Sequence, residues 1–106
     1  MYVSKTSVRV HYAATDQMGV VYHGRYTEFF EIGRVEALRQ LGISYKDIEE
    51  LGIIMPVTEM HIRFIRPARY DDVLTIVTTL KEMPHNHKIN FHSEIFNEKE
   101  ELLTAA

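Results

Sequence analysis

The sequence contains no cysteine, and this absence removes several kinds of chemistry at once. Disulfide bonds, zinc–thiolate centres and a cysteine nucleophile are excluded. Long apolar runs are also missing, since no stretch approaches the roughly 18 apolar residues of a membrane helix. The first five residues, MYVSK, carry no apolar signal core. These absences predict a cytoplasmic protein that has no membrane partner.

Length and composition indicate an ordinary globular protein. A chain of 106 residues fits one domain, so residues 1–106 are expected to fold together. With 45% hydrophobic and 25% charged residues, the chain is typical of globular domains in water. A net charge of -3 without a basic run disfavours nucleic acid as a partner. A domain this small buries a modest fraction of its surface, so a second copy would help to stabilise it.

Hydrophobic periodicity predicts one long helix in the first half of the chain. Alternation at residues 8–12 indicates a strand, and a helix is then expected from Tyr22 or His23 to Gln40. Gly33 lies in mid-helix, where glycine costs ~1 kcal/mol against alanine, and a close approach to a sheet would explain it. The predicted apolar stripe consists of Tyr26, Phe29, Phe30, Gly33, Ala37 and Leu41.

The second half of the chain changes to a period of two. A short helix from Ser44 to Leu51 is expected first, followed by strands over residues 58–64, 73–83 and 89–95 and from residue 101 onward. Because the turns between them are short, neighbouring strands should be antiparallel. One long helix against an antiparallel sheet of about five strands is a two-layer α+β fold.

The most informative segment is T-D-x-x-G-x-V-Y-H-x-x-Y at residues 15–26. It places a single carboxylate, Asp16, just before a helix N-terminus, where unpaired backbone N–H groups favour negative charge. A carboxylate beside such an oxyanion site is the minimum needed to hydrolyse an activated acyl group. The alternative interpretation is that Asp16 only caps the helix or closes a turn.

The chain resembles the hotdog-fold acyl-CoA thioesterases in this segment and in a second one, F-I-R-P-A-R-Y-D-D-V-L at residues 64–74. The similarity is greatest to the 4-hydroxybenzoyl-CoA thioesterase family, which includes the Tol-Pal-associated thioesterases, and it runs from about Val8 to Ile95. The resemblance implies a hotdog fold and hydrolysis of an acyl-CoA thioester to a free acid and CoA. Family members usually continue through a complete final strand, whereas this chain stops at Ala106, which leaves the completeness of the last strand open.

The resemblance also implies roles for individual residues. Asp16 would be the essential carboxylate, acting as nucleophile or as general base on a water. The backbone N–H at His23 would polarise the thioester carbonyl, with Tyr22 and Gly24 beside it at the start of the helix. A site with a single carboxylate and backbone donors is enough for a thioester. Its carbonyl is more electrophilic than that of an amide, and its thiolate leaves without strong general-acid catalysis.

Several side chains have both a functional and a structural interpretation. The His23 imidazole could contact the thioester or orient water, or it could simply be a polar residue at a helix start. Thr15 and Tyr12 are candidates to line the cleft, although core packing is the preferred interpretation for Tyr12. His85 and His87 have the spacing of two residues on one strand face, but no third ligand is evident, so neither a metal nor a cofactor is expected.

Four basic residues are candidates for binding the CoA phosphates, namely Arg63, Arg66, Arg69 and Lys88. For any one of them the alternative is a solvated strand edge. The resemblance places the site between two protomers, so a homodimer or a homotetramer is expected.

Two other function classes remain open, because the hotdog fold hosts several activities. One is an acyl-thioester dehydratase or hydratase, which usually pairs its acid with a histidine at another spacing. The other is a non-catalytic acyl-CoA-binding module, which the presence of Asp16 disfavours. An acyl-carrier protein could also replace CoA, and the acyl group itself is not determined by the sequence.

Overall fold

The computed structural model describes residues 2–42, 59–80 and 90–106. The elements in these ranges are β1 (Tyr2–Arg9), a 3₁₀ turn (Tyr12–Ala14), a second 3₁₀ turn (His23–Arg25), α1 (Tyr26–Gln40), β2 (Arg63–Phe64), β3 (Val73–Leu80), β4 (His92–Phe96) and β5 (Leu102–Ala105). Across the described part of the chain, no helix is long and apolar enough to cross a membrane.

The five described strands form one antiparallel sheet in the order β1-β3-β4-β5-β2. In the register of these strands, Thr6 on β1 lies opposite Ile76 on β3, and Ile76 lies opposite Ile95 on β4. Helix α1 packs against β1 and β3. The predicted two-layer α+β architecture, with one long helix on an antiparallel sheet of about five strands, is therefore confirmed.

The core lies between the helix and one face of the sheet. On β3, buried Leu74, Ile76 and Thr78 alternate with half-buried residues, as the period of two requires. The helix buries Tyr26, Phe29, Phe30, Gly33, Ala37 and Leu38 against this face. The predicted stripe is confirmed except at its end, because α1 stops at Gln40 and Leu41 is 44% exposed.

At Gly33 the helix lies very close to the sheet. A Cβ atom built at this position would lie 2.5 Å from Thr78 Oγ1 and 2.7 Å from Ile76 Cγ2, closer than real Cβ contacts. Glycine is therefore present in mid-helix because a larger residue would push α1 away from β3. This is the explanation that the sequence suggested.

Some predicted boundaries differ from the structure. The strand expected over residues 58–64 is reduced to Arg63–Phe64 within the described range, although Met60 and Ile62 still pack against the core. Strand β4 runs from His92 to Phe96 rather than from residue 89. The predicted helix over residues 44–51, the end of the strand over 73–83, and His85, His87 and Lys88 lie outside the described residues.

Candidate active site

A narrow hairpin at residues 14–22 carries the predicted carboxylate, and we call it the acid hairpin. At its open end the N–H of Tyr22 donates to the carbonyl of Ala14 at 3.0 Å, and near its tip the N–H of Asp16 donates to the carbonyl of Val20 at 2.9 Å. The tip closes where the N–H of Gly19 donates to the Asp16 carbonyl at 3.0 Å. Gly19 has φ +75°, which glycine adopts without strain.

The side chain of Asp16 has one engaged oxygen. Its Oδ1 accepts a hydrogen bond from the Met18 N–H at 2.8 Å, which is an Asx turn. Within residues 2–42, 59–80 and 90–106, no group donates a hydrogen bond to Oδ2, and Asp16 is exposed. Asp16 is thus a turn residue, as the structural interpretation expected, and one of its carboxylate oxygens still has no protein donor in that part of the chain.

The acid hairpin leads directly into the central helix. The N–H of Arg25 donates to the Tyr22 carbonyl at 2.9 Å, and the N–H of Tyr26 donates to the His23 carbonyl. The first turn therefore provides no acceptor for the N–H groups of His23 and Gly24. No backbone carbonyl among the described residues accepts from either group. Two backbone donors thus remain at the positive end of the helix dipole.

The Tyr22 ring covers this first turn. A Cβ atom on Gly24 would lie 2.9 Å from Tyr22 Cε1, so the missing side chain at Gly24 leaves space for the ring. Tyr22 is 51% exposed, and its ring centroid is 4.4 Å from that of His23. The backbone N–H of Tyr22 is already bonded to Ala14, so only the Tyr22 side chain is available to a substrate.

Several aromatic rings lie close to the start of α1. Phe64 reaches this point from the short edge strand β2, with its ring centroid 6.3 Å from that of His23 and 5.3 Å from that of Tyr26, both edge to face. His23 therefore lies among aromatic rings, and no hydrogen bond joins its imidazole to Asp16 among the described residues. A catalytic role for the His23 side chain stays a prediction.

The second sequence block packs behind the acid hairpin. The N–H of Val21 donates to the Ala68 carbonyl at 2.8 Å, and Val20 forms an antiparallel bridge with Arg69. The N–H of Ala68 in turn donates to the hydroxyl of Tyr26 at 3.2 Å. The two motifs that the sequence separates by about 40 residues are thus joined by backbone hydrogen bonds. The apolar stripe predicts Tyr26 as a core residue only, and its place in the motif is the one sequence signal of a further role.

The three predicted basic residues that the structure describes are spread along residues 63–69 and do not form a single cluster. Arg63 and Phe64 are neighbours on a strand, so Arg63 points to the sheet face opposite to Phe64. Arg66 Nη1 lies 3.5 Å from Glu101 Oε2, and the backbone N–H of Arg69 donates to the Asp72 carboxylate at 2.9 Å. Lys88 lies outside the described residues.

The carboxylate of Glu101, which forms an ion pair with Arg66, is stabilised in its charged form. The pKa of Glu101 is lowered from its usual value, mainly by the hydrogen bond from the Asn97 side chain. Desolvation opposes this shift, and the charges of Arg66 and Lys99 lower the pKa by smaller amounts. Arg66 therefore already has a charged partner. Its availability to a phosphate is correspondingly lower than that of Arg63 or Arg69.

The two remaining candidates, Thr15 and Tyr12, contact each other, and a substrate-binding role for Thr15 stays a prediction. The Thr15 hydroxyl donates to the Tyr12 carbonyl at 2.7 Å, which engages its proton within the loop. Tyr12 is 76% exposed and stacks edge to face on Tyr70 at 5.6 Å, so the interpretation as a core residue is wrong. The short 3₁₀ turn at Tyr12–Ala14 has no buried residue, although Ala14 is partly buried against the core. Among the described residues, no group of three or more metal-binding side chains occurs.

Comparison with known proteins gives the same fold and identifies the family. The family model described as "Thioesterase-like superfamily" matches residues 10–106. The acyl-CoA thioester hydrolase YbgC of Escherichia coli is 36% identical over 99 residues, covering 93% of this chain and 73% of that protein. The crystal structure of a DHNA-CoA thioesterase from Staphylococcus aureus superposes with a TM-score of 0.93 at 38% identity, covering 99% of this chain and 70% of that one.

A more distant structure supports the same conclusion. The 1,4-dihydroxy-2-naphthoyl-CoA thioesterase Slr0204 from Synechocystis has a TM-score of 0.89 at 25% identity, covering 97% of this chain and 76% of that one. Fold and similarity together define a thioesterase with the hotdog fold. Because the family model matches most of the chain, this protein belongs to the thioesterase-like superfamily.

Proposed function

We propose that this protein hydrolyses acyl-CoA thioesters to a free acid and CoA. The observation that carries the proposal is the joining of an exposed carboxylate turn, Asp16, to a helix start whose His23 and Gly24 N–H groups have no backbone acceptor among the described residues. Homology supports it, because relatives with 35–36% identity over almost the whole chain are named as acyl-CoA thioesterases or thioester hydrolases.

The backbone donors would act on the carbonyl oxygen of the thioester. Negative charge develops on this oxygen when the carbonyl carbon becomes tetrahedral, and fixed N–H donors stabilise that charge without having to reorganise. Removing one such donor typically lowers the rate by ~10²–10³. The positive end of the α1 dipole adds to the stabilisation.

Asp16 would supply the attack on the carbonyl carbon. As a general base, the Asp16 oxygen that lacks a donor among the described residues would take a proton from a water while that water adds to the carbon. As a nucleophile, it would form a mixed anhydride that water then hydrolyses. In both routes the carbon–sulfur bond breaks, the electron pair leaves with the CoA thiolate, and one water is consumed.

We further propose that the protein works as a homodimer or homotetramer. Five large hydrophobic or aromatic residues are exposed on the acid hairpin or on the segment that packs behind it, namely Met18, Tyr22, Phe64, Ile65 and Tyr70. Tyr12 is exposed just before the hairpin. Met18 is 82% exposed at the hairpin tip, beside Asp16. A second copy on this surface would remove apolar area from water and close the site against solvent.

Removing the charge of Asp16 is the experiment that tests the proposed activity. Asp16→Asn should retain the fold and lower kcat on acyl-CoA esters by several orders of magnitude, measured as thiol release over a panel of acyl chains. The matched control is Asp71→Asn, which makes the same change at an exposed position with φ 69°, a conformation that asparagine tolerates. Near-wild-type hydrolysis by Asp16→Asn would refute the role of Asp16, and a wild type inactive on every ester would refute the activity.

A further inference from the structure

We propose that the hydroxyl of Tyr26 is a positioning group for this reaction. It would hold the backbone at Ala68 against the start of the helix and thereby fix the acid hairpin relative to the backbone donors. The inference rests on the proposed function. It concerns a hydroxyl whose hydrogen-bond partner among the described residues is the Ala68 N–H, not Asp16 or the proposed oxyanion donors.

The position of the hydroxyl is fixed by packing. Tyr26 is 2% exposed, and its ring meets Phe29 and Phe64 edge to face at centroid distances of 5.9 and 5.3 Å. A ring held between two others has few alternative rotamers, so its hydroxyl is presented at one place. There it accepts the N–H of Ala68, a residue with 0% exposure.

The other backbone group of Ala68 continues the connection. Its carbonyl accepts the Val21 N–H at 2.8 Å, and Val20 accepts the Asp16 N–H at 2.9 Å. A relay of backbone contacts thus runs from the first residue of α1 through Ala68 to the acid hairpin, and we call it the Tyr26 relay. It joins the helix and the hairpin a second time, independently of their covalent link at Tyr22.

This second connection matters because the two halves of the proposed site lie on different elements. The carboxylate belongs to the hairpin, whereas the N–H groups of His23 and Gly24 belong to the helix start. A misplacement of about 1 Å between reacting groups can cost ~10²-fold in rate. Without the hydroxyl, the N–H of Ala68 would be buried with no acceptor, and the hairpin would lose one of its restraints.

The test is Tyr26→Phe, which keeps the ring and removes only the hydroxyl. We expect kcat on an acyl-CoA ester to fall roughly 10-fold while KM stays within about twofold, because remote contacts to the substrate are unchanged. Amide hydrogen exchange should become faster at Ala68 and Val21, by about 10-fold or more, and stay unchanged at the central β3 residue Ile76.

Two variants serve as controls. Tyr2→Phe makes the same chemical change at the other end of the helix, where the Tyr2 hydroxyl contacts Gln40 Oε1 at 3.0 Å, and it should keep the wild-type kcat. Ile95→Val trims the core at a residue with 0% exposure that takes no part in the hydrogen bonds of the Tyr26 relay, and it should lower stability without lowering kcat.

Each outcome is decisive. A Tyr26→Phe enzyme with wild-type kcat, or with unchanged exchange at Ala68 and Val21, would overturn the positioning role. An equal loss of kcat in Ile95→Val at equal stability would show that the hydroxyl acts only through folding. Inactivity of the wild type on all acyl-CoA esters would instead overturn the proposed function, and the exchange measurement would still decide whether the Tyr26 relay restrains the hairpin.

Discussion

At the scale of single residues, the arginines differ in their freedom to bind a substrate. Arg66 is paired with Glu101 at 3.5 Å, whereas Arg63 has an exposed position on the edge strand and Arg69 has one beside the acid hairpin. If CoA phosphates reach this segment, the two arginines without a described carboxylate partner are the better ligands. Each well-formed charge-assisted contact is worth about 1.5–3 kcal/mol, and less when exposed.

We therefore predict that Arg63→Ala/Arg69→Ala raises KM for an acyl-CoA and leaves kcat nearly intact, because the nucleotide is remote from the reacting carbon. The effect should shrink for the same acyl group on pantetheine, which lacks the nucleotide. Steady-state kinetics on both substrates measures it, with Lys5→Ala/Arg39→Ala as a control that removes two exposed charges elsewhere. Equal losses on the two substrates would mean that the arginines act through folding.

At the scale of elements, the contact of α1 with β3 sets the spacing between the layers. Gly33→Ala would place a methyl group 2.5 Å from Thr78 Oγ1 and 2.7 Å from Ile76 Cγ2, and neither is the end of a long flexible chain. Overpacking of this kind costs ~1–3 kcal/mol, which the ~1 kcal/mol gain in helix propensity offsets only in part. We expect the free energy of unfolding to fall by up to ~2 kcal/mol, measured by urea denaturation.

Two companion variants make the Gly33 prediction specific. Adding Thr78→Ala should recover part of the loss, because it removes the nearest atom and also a hydroxyl that has no hydrogen-bond partner among the described residues. Glu31→Ala, at an exposed position of the same helix, should be close to neutral. A Gly33→Ala protein more stable than the wild type would show that the layers can separate at no cost.

The elements that the sequence predicted well are those with a strong period. The 3.6-residue stripe of α1 and the two-residue alternation of β3 and β4 come directly from burial on one side, so composition along the chain reveals them. The pairing of Val20 with Arg69 and of Val21 with Ala68 could not be predicted this way. These contacts use backbone groups of loops, whose hydrogen bonding leaves no periodic signature.

For the candidate site, the sequence predicts the position of the acid and of the helix start, but not the contacts that hold them in place. Asp16 is predicted from turn and motif chemistry, and the hairpin that holds it closes through a hydrogen bond from the Gly19 N–H to the Asp16 carbonyl. The sequence predicts Phe64 as a strand residue and as the first residue of the second matching segment, without a place at the helix start. That it reaches the helix start depends on the strand order, which places β2 at the sheet edge beside β5.

At the scale of the whole molecule, exposed apolar surface is unevenly distributed. Met18 and Ile65 are 82% and 46% exposed near the acid hairpin, and Val3 is 45% exposed on β1, at the opposite edge of the sheet from β2. Only the first group lies close to the residues of the proposed site. We infer that a second copy binds on that side.

Sedimentation at micromolar concentration should show a dimer or a tetramer. Met18→Asp/Ile65→Asp should shift the protein toward monomer and lower its activity in parallel, because a charge at a buried interface is costly to desolvate. Val3→Asp is the matched control at the far edge and should leave the mass unchanged. An active wild-type monomer would exclude a site shared between protomers.

The proposed oxyanion donors are main-chain groups, and this has a consequence for how such an enzyme changes over evolution. Every residue except proline supplies the same N–H, so substitution at His23 cannot delete that donor, provided that proline is avoided. The side chains at Tyr22, His23 and Phe64 can therefore drift and reshape the groove for a new acyl group while the catalytic step persists. After gene duplication, the two copies can therefore diverge in substrate range through few mutations, and no intermediate in that divergence has to be inactive.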